Sequence, residues 1–127
     1  MPKKILVVDD EQDITKSIKM LLDNAGYEVR VVNSGKSALQ LLEKEKFDLV
    51  FLDILMPEMP GKEVAEKIRQ NPKTRNQPIA FLSVVTLGEA GKALIKKLKP
   101  VDYIQKPFKT AEFKEQVRKM VGLDGPD

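Results

Sequence analysis

The sequence predicts an α/β fold in which helices cover both faces of a five-stranded parallel sheet. Three observations support this prediction. Short apolar runs with many β-branched residues have the length and composition of buried strands. Longer stretches between them carry apolar residues at helical spacing. The two patterns alternate along the chain, which is typical of a parallel sheet because parallel strands need a crossover connection.

The predicted strands follow one another with a helical stretch in each interval. Right-handed crossovers leave few topologies for such a pattern. The third run is apolar throughout, as expected of a central strand that is covered on both faces. The strands are Ile5–Val8, Val29–Val32, Leu49–Leu52, Ile79–Leu82 and Val101–Ile104.

Start and stop signals mark the five predicted helices. Gly26 suits the position just after the first helix, while Ser34 and Thr110 suit the N-caps of the second and fifth. Pro72 follows the third helix, and Pro100 stops the fourth. The apolar positions of the helices, in chain order, are Ile14, Ile18, Leu21 and Leu22; Ala38, Leu41 and Leu42; Val64, Ala65 and Ile68; Ala90, Leu94, Ile95 and Leu98; and Phe113, Val117 and Met120.

Length and composition restrict the function. With 127 residues we expect one domain, residues 1–121, followed by a short tail, residues 122–127. The chain has no cysteine and no histidine, which excludes disulfides, thiolate zinc sites and histidine-dependent triads. A net charge of +3 with both signs interspersed does not indicate nucleic-acid binding. No apolar run approaches the roughly 18 residues of a membrane span, so we expect a cytoplasmic protein with no membrane contact.

Polar side chains follow four of the five strands. The first strand is followed by Asp9 and Asp10, the third by Asp53, the fourth by Ser83, and the fifth by Lys106-Pro107. The second strand, ending near Asn33, adds nothing comparable. Ligands of open parallel sheets bind beyond the carboxyl ends of the strands. The sequence therefore predicts a functional site at this edge.

Three neighbouring carboxylates repel one another, and a bound cation removes that conflict. Mg²⁺ prefers oxygen ligands, so Asp10 and Asp53 are candidate direct ligands, with Asp9 acting directly or through water. The Asp9–Asp10 pair taken alone is equally consistent with a helix cap. A cation, the ammonium of Lys106 and the hydroxyl of Ser83 around Asp53 suit phosphoryl transfer to its carboxylate, which gives an acyl phosphate.

Taken together, these residues resemble the receiver domains of two-component response regulators. The resemblance rests on Asp9-Asp10, on Asp53 followed by Met56-Pro57 and Gly61, on Ser83, and on Lys106-Pro107-Phe108, and it extends from Lys4 to about Val121. It implies a flavodoxin-like sheet with strand order 2-1-3-4-5. It also implies a signalling switch that accepts a phosphoryl group and loses it slowly, rather than a turnover enzyme.

The resemblance assigns roles to individual residues. Asp53 is the phosphoacceptor, and Asp10, Asp53 and the backbone carbonyl of Leu55 hold Mg²⁺ with help from Asp9. Lys106 contacts the phosphoryl oxygens. Ser83 moves to bond one of those oxygens, and Tyr103 rotates inward with it, although Tyr103 also fits a half-exposed strand aromatic. The resemblance further implies a cis peptide bond between Lys106 and Pro107.

The resemblance also implies partners. The donor is a phosphohistidine on a sensor histidine kinase or a histidine phosphotransfer protein, since this chain has no histidine. We expect no output domain, so output would be contact between the fourth helix, fifth strand and fifth helix and an unknown downstream protein, with the chain a monomer or a phosphorylation-dependent dimer. Lys92, Lys96 and Lys99 read as a solvated helix face or as a docking surface for an acidic partner.

Two departures from the family pattern concern the reaction rate. Val84 stands where a small residue is usual, which predicts hindered access to Asp53. Leu55 and Val85 are both apolar where the hydrolytic water passes, which predicts a long-lived phosphoryl group.

Three alternatives remain open at this point. An aspartate-nucleophile phosphatase usually has a second carboxylate where this chain has Leu55. A flavin-binding module needs a phosphate loop after the first strand, where Asp9, Asp10 and Glu11 would repel phosphate. A receiver domain that no longer accepts phosphate and serves as a scaffold is the third.

Overall fold

A computed structural model describes residues 2–56, 58–83, 88–106 and 109–121. Five strands alternate with five helices along the chain. In chain order these are β1 Lys4–Val8, α1 Gln12–Asn24, β2 Glu28–Val32, α2 Gly35–Lys44, β3 Leu49–Asp53, α3 Gly61–Gln70, β4 Ile79–Ser83, α4 Glu89–Lys96, β5 Asp102–Gln105 and α5 Thr110–Val121.

The strands form one parallel sheet in the order β2-β1-β3-β4-β5. The predicted fold class and strand order are therefore confirmed. Every residue of β3 and β4 is buried, whereas β2 at the sheet edge has exposed positions. The apolar run that leads to Asp53 is thus a central strand, covered on both faces.

Alternate residues of each strand point to opposite faces of the sheet, and this divides the interior into two apolar cores. Leu6, Val50 and Phe81 pack on the side of α2, α3 and α4. Ile5 and Phe51 pack on the side of α1 and α5, where the Phe51 ring lies 5.3 Å from the ring of Phe113. The sheet is therefore a rigid middle layer whose carboxyl edge remains accessible.

Helix α1 ends and helix α2 begins at the residues that the sequence predicted. Gly26 adopts φ 97°, and the N–H groups of Gly26 and Tyr27 donate to the carbonyls of Asp23 and Leu22 at 3.1 Å each. This is the Schellman pattern, for which glycine is favoured. The Ser34 hydroxyl accepts from the N–H of Ser37 at 3.1 Å, which caps α2.

The first four strands are each one residue longer than predicted, and the last three elements differ in further details. Helix α5 begins at Thr110, and the Lys109 carbonyl accepts its first hydrogen bond, so Thr110 lies in the first turn instead of at the cap. Strand β5 runs one residue later than predicted, and Val101 is 48% exposed. In α4 only Ile95 is buried, while Leu94 is 46% exposed and Leu98 lies beyond the helix.

Arg69, near the end of α3, forms hydrogen bonds to two other segments, one before β4 and one after α4. Its guanidinium donates to the carbonyls of Leu98 at 2.7 Å, Gln77 at 2.7 Å, Arg75 at 3.0 Å and Lys99 at 3.3 Å. Burial lowers the pKa of Arg69. The contacts with Leu98 and Lys99 hold the segment that follows α4 against α3.

Candidate functional site

The three acids predicted to form a site do come together. Asp9 directly follows β1, Asp53 is the last residue of β3, and the two strands are neighbours in the sheet. One carboxylate oxygen from each of Asp9, Asp10 and Asp53 lies within 4.8 Å of the others. Asp9 is 0% and Asp53 4% exposed, whereas Asp10 is half-buried. The cluster therefore concentrates negative charge where water only partly screens it.

Lys106 reaches this cluster from β5, two strands away from β3. The backbone N–H of Lys106 donates to the Ser83 carbonyl at 2.7 Å, which extends the β4–β5 ladder past the end of the strand. Its ammonium lies 2.6 Å from Oδ2 of Asp9, 3.8 Å from Oδ2 of Asp53 and 3.9 Å from Oε1 of Glu11. The lysine thus neutralises part of the acidic charge.

The surroundings of Asp53 change the pKa of its carboxyl group. Burial, followed by the nearby charge of Asp9, raises the pKa of Asp53 to about 7, although Lys106 opposes the rise. The N–H of Leu55 donates to Oδ1 of Asp53 at 3.3 Å and also favours the ionised form. A carboxylate that retains a proton near neutral pH is one that a divalent cation would stabilise.

The backbone around Asp53 leaves no room for a side chain at Gly61. A Cβ at Gly61 would lie 2.1 Å from the backbone carbonyl oxygen of Asp53, while the Gly61 N–H donates to the Ile54 carbonyl at 2.9 Å. Helix α3 therefore begins in direct contact with the turn that follows Asp53. The Leu55 side chain is 53% exposed beside this turn. The role of the Leu55 backbone carbonyl as a ligand of Mg²⁺ stays a prediction.

The two predicted switch residues lie on neighbouring strands. Ser83 ends β4 and is fully buried, one register position beyond the Asp53–Leu82 pair. Tyr103 lies in β5, is half-buried and packs against the core on the α4 side. Their positions are those that the sequence predicted, and their movement stays a prediction. Val84, Val85 and Pro107 lie outside the described residues.

Two residues at this edge were missed by the sequence argument. The side-chain amide of Asn33, directly after β2, donates to the Asp9 carbonyl at 2.8 Å. The backbone N–H of Glu11 donates to Oδ1 of Asp9 at 3.0 Å. The signal for Asn33 was its place at the end of a strand beside β1, since all five strands end at this edge.

The three lysines of the fourth helical stretch line one groove. Lys92, Lys96 and Lys99 surround a cavity of about 490 Å³ with Pro100 and Tyr103. Ile95, Asp102 and Gln105 complete the lining, so three ammonium groups and one carboxylate border the cavity. Within the described part of the chain, no helix is long and apolar enough to span a membrane.

Comparisons with known proteins agree with this geometry. The family model for the response regulator receiver domain matches residues 5–118. The alkaline phosphatase synthesis transcriptional regulatory protein PhoP of Bacillus subtilis is 38% identical over 118 residues, which is 93% of this chain and 48% of PhoP. The chain thus spans about half the length of this relative.

Solved structures show the same fold. The chemotaxis protein CheY4 of Vibrio cholerae is 28% identical with a TM-score of 0.88, and the match covers 94% of this chain and 99% of CheY4. The response regulator TrrA of Thermotoga maritima, solved in complex with Mg²⁺–BeF, is 36% identical with a TM-score of 0.79, covering 93% of this chain and 98% of TrrA. This chain belongs to the response regulator receiver family.

Proposed function

We propose that the chain is a phosphorylation switch in which Asp53 accepts a phosphoryl group from a phosphohistidine. The observation that carries this proposal is the placement of Asp53, which ends a fully buried strand within 4.8 Å of two further acids and 3.8 Å from a lysine ammonium. The donor is a sensor histidine kinase or a histidine phosphotransfer protein. Receiver domains interact with histidine kinases, and this chain has no histidine of its own.

The acid cluster fits Mg²⁺. Lys106 places one positive charge beside three carboxylates, and burial, followed by the charge of Asp9, raises the pKa of Asp53. Asp9, Asp10 and Asp53 would hold the ion together with the carbonyl of Leu55. The bound ion would offset charge on the phosphoryl oxygens. The Mg²⁺–BeF complex of TrrA supports this assignment.

The transfer step uses an oxygen of Asp53 as the nucleophile. That oxygen forms a bond to phosphorus as the P–N bond of the phosphohistidine breaks, and the electron pair of that bond returns to the imidazole. The ammonium of Lys106 lies 3.8 Å from Oδ2 of Asp53, so a small side-chain movement would let it contact the oxygens of the transferred phosphoryl group. The acyl phosphate is then lost by slow hydrolysis rather than by enzymatic turnover.

The signal would leave through Ser83, Tyr103 and the surface formed by α4, β5 and α5. Ser83 would bond a phosphoryl oxygen, and Tyr103 would turn inward from its half-buried position. The groove lined by Lys92, Lys96 and Lys99 would then receive an acidic protein segment. Replacing these three lysines by glutamate should abolish salt-dependent binding of an acidic peptide while phosphorylation of Asp53 stays normal. Unchanged binding would place the docking surface elsewhere.

The central experiment is the intact mass of the protein after incubation with Mg²⁺ and acetyl phosphate. We expect one added phosphoryl group in the wild type, as the P–O bond of acetyl phosphate breaks and acetate leaves, and none in Asp53→Asn. Repeating the reaction in EDTA tests the need for the cation. No addition to the wild type under any of these conditions would favour the scaffold alternative.

A further inference from the structure

Asn33 holds the backbone at the point where the acid cluster begins. Its Nδ2 donates to the Asp9 carbonyl at 2.8 Å, and the Asp9 N–H donates to the Val32 carbonyl at 3.3 Å. The end of β2 therefore binds Asp9 at both its N–H and its C=O. This carbonyl belongs to the peptide that joins Asp9 to Asp10, so the bond sets the orientation of that peptide plane.

Thr15 in turn holds the amide of Asn33. Thr15 is buried, and its hydroxyl donates to the Gln12 carbonyl at 2.9 Å, which leaves the hydroxyl oxygen free to accept from Nδ2 of Asn33 at a longer 3.4 Å. Both protons of the Asn33 amide are thus directed at defined acceptors. The amide has one orientation available, and α1 and β2 are connected through it.

The acid that depends most on this arrangement is Asp10. Asp9 is held by Lys106 and by the N–H of Glu11, and Asp53 is held by Lys106 and the N–H of Leu55. Among the residues that the structure describes, Asp10 has no hydrogen bond or ion pair to its carboxylate. Its position is therefore set by the backbone, and the peptide that precedes it is the one that Asn33 holds.

We propose that Asn33 is a positioning residue for cation binding at the cluster of Asp9, Asp10 and Asp53. It would act through the backbone of Asp9 and not as a ligand of the ion. It orients the peptide between the first two acids so that the carboxylate of Asp10 stays within reach of the other two. This inference rests on the proposed function, because it concerns the Mg²⁺ that the proposed phosphoryl transfer requires.

The test is calorimetric titration of the metal-free protein with Mg²⁺ and, separately, with Mn²⁺. We expect Asn33→Ala to bind both ions about tenfold more weakly than the wild type, the effect typical of losing a group that orients a metal ligand. Asn71→Ala is the matched control, because the Asn71 side chain also forms two hydrogen bonds, donating to Glu43 at 2.6 Å and accepting from the Lys73 N–H at 3.0 Å, at the far end of α3. The control should bind both ions like the wild type.

Variants of Thr15 test whether Asn33 positions the acid cluster or only stabilises the fold. Thr15→Val keeps the shape of the side chain but removes the acceptor for Asn33, and we expect a weakening of a few-fold that Thr15→Ser restores. If both residues act through the same amide, the double variant should bind no more weakly than Asn33→Ala alone. Urea unfolding of each variant shows whether stability and ion affinity change together.

The outcomes are distinguishable. Wild-type affinity in Asn33→Ala and in Thr15→Val, even with lowered stability, would overturn this inference and leave the proposed function intact. A wild-type protein that binds neither ion would overturn both this inference and the magnesium part of the proposed function. Additive effects of the two substitutions would also contradict a shared action through one amide.

Discussion

The Lys106 ammonium is paired with Asp9 at 2.6 Å, whereas it lies 3.8 Å from Asp53, the proposed phosphoacceptor. Both members of this pair are buried. A close ion pair in a buried setting holds its partners firmly, so the lysine is preorganised beside the acceptor without blocking it. In the absence of a cation it is also the main counter-charge for the cluster.

Removing that counter-charge should destabilise the fold. We expect Lys106→Met to lower the free energy of unfolding by about 3 kcal/mol in EDTA, since it leaves a buried carboxylate at Asp9 unpaired. Added Mg²⁺ should restore part of this loss, because the ion supplies positive charge to the same acids. Urea unfolding with and without Mg²⁺ measures both effects, and Lys106→Arg serves as the charge-preserving control. Equal stability of Lys106→Met and wild type in EDTA would contradict the prediction.

The raised pKa of Asp53 predicts a pH-dependent effect of Asp53→Asn. The folded protein holds the Asp53 proton up to about pH 7, while the unfolded chain releases it near pH 4. Folding stability attributable to this group therefore falls as the pH rises from about 4 to 7. Because asparagine does not ionise, Asp53→Asn should not lose this stability as the pH rises. In EDTA we expect the variant to exceed the wild type by about 1–2 kcal/mol at pH 8 and to match it near pH 4.

Thermal unfolding across this pH range measures the difference between the two proteins. Asp13→Asn, at an exposed position in the first turn of α1, is the control and should show no comparable trend. An Asp53→Asn variant whose advantage is the same at every pH would refute the assigned pKa.

Gly61 should tolerate no side chain. Gly61→Ala places a Cβ 2.1 Å from the Asp53 carbonyl oxygen, and this contact with backbone is relieved only if α3 or the turn moves. We expect a loss of about 2–3 kcal/mol in unfolding free energy and weaker Mg²⁺ binding. Gly88→Ala is the matched control, because nothing lies within 4 Å of a Cβ there. A Gly61→Ala protein as stable as Gly88→Ala would show that the turn adapts.

Arg69 should contribute more to stability than an exposed arginine. Arg69→Met retains much of the aliphatic packing but removes the hydrogen bonds to four carbonyls, and we expect a loss of about 2–3 kcal/mol. Arg118→Met removes only the exposed pair with Glu115 and should change the stability far less than Arg69→Met does. Hydrogen exchange adds a local readout: the Val101 amide, which donates to Ile79, should exchange faster in Arg69→Met. Unchanged exchange there would exclude a role for Arg69 in holding the segment that follows α4.

Tyr103 offers a direct signal for the proposed switch. The chain has two tyrosines and no tryptophan, so Tyr27→Phe leaves Tyr103 as the sole tyrosine. We expect its fluorescence to change when Mg²⁺ and acetyl phosphate are added, because an inward rotation moves the ring from a half-exposed to a buried setting. Adding Ser83→Ala should suppress the change while the added mass at Asp53 remains. A constant signal in a fully phosphorylated Tyr27→Phe protein would show that Tyr103 does not move.

The sequence predicted the fold and the acid cluster because both follow from local pattern. Unbroken apolar runs indicate strands covered on both faces, and the carboxyl ends of parallel strands meet at one edge, so Asp9, Asp53 and Lys106 were expected together. The role of Asn33 was not predicted, because its amide acts on a backbone carbonyl 24 residues earlier and no side-chain pattern marks that contact.

Helix α4 was the least accurately predicted element for a physical reason. Helical spacing shows which residues share a face, but it does not show whether another element covers that face. Leu94 shares apolar character with Ile95, yet it is 46% exposed because the core reaches only one side of the helix. The backbone conformation at Lys99, three residues after the end of α4, was also hidden from the sequence. Lys99 adopts φ 54°, a conformation that few lysines have, and Arg69 holds its carbonyl.

The shallow burial of α4 has a thermodynamic consequence. A helix that buries only Ile95 has little packing energy to lose on repositioning, so in the proposed switch a small free energy from contacts at Asp53 would be enough to shift its population. Linkage is reciprocal: a partner that favours the shifted position of α4 must favour phosphorylation of Asp53 by the same factor. The downstream protein would then raise the fraction of the chain that is phosphorylated, in addition to binding the phosphorylated form.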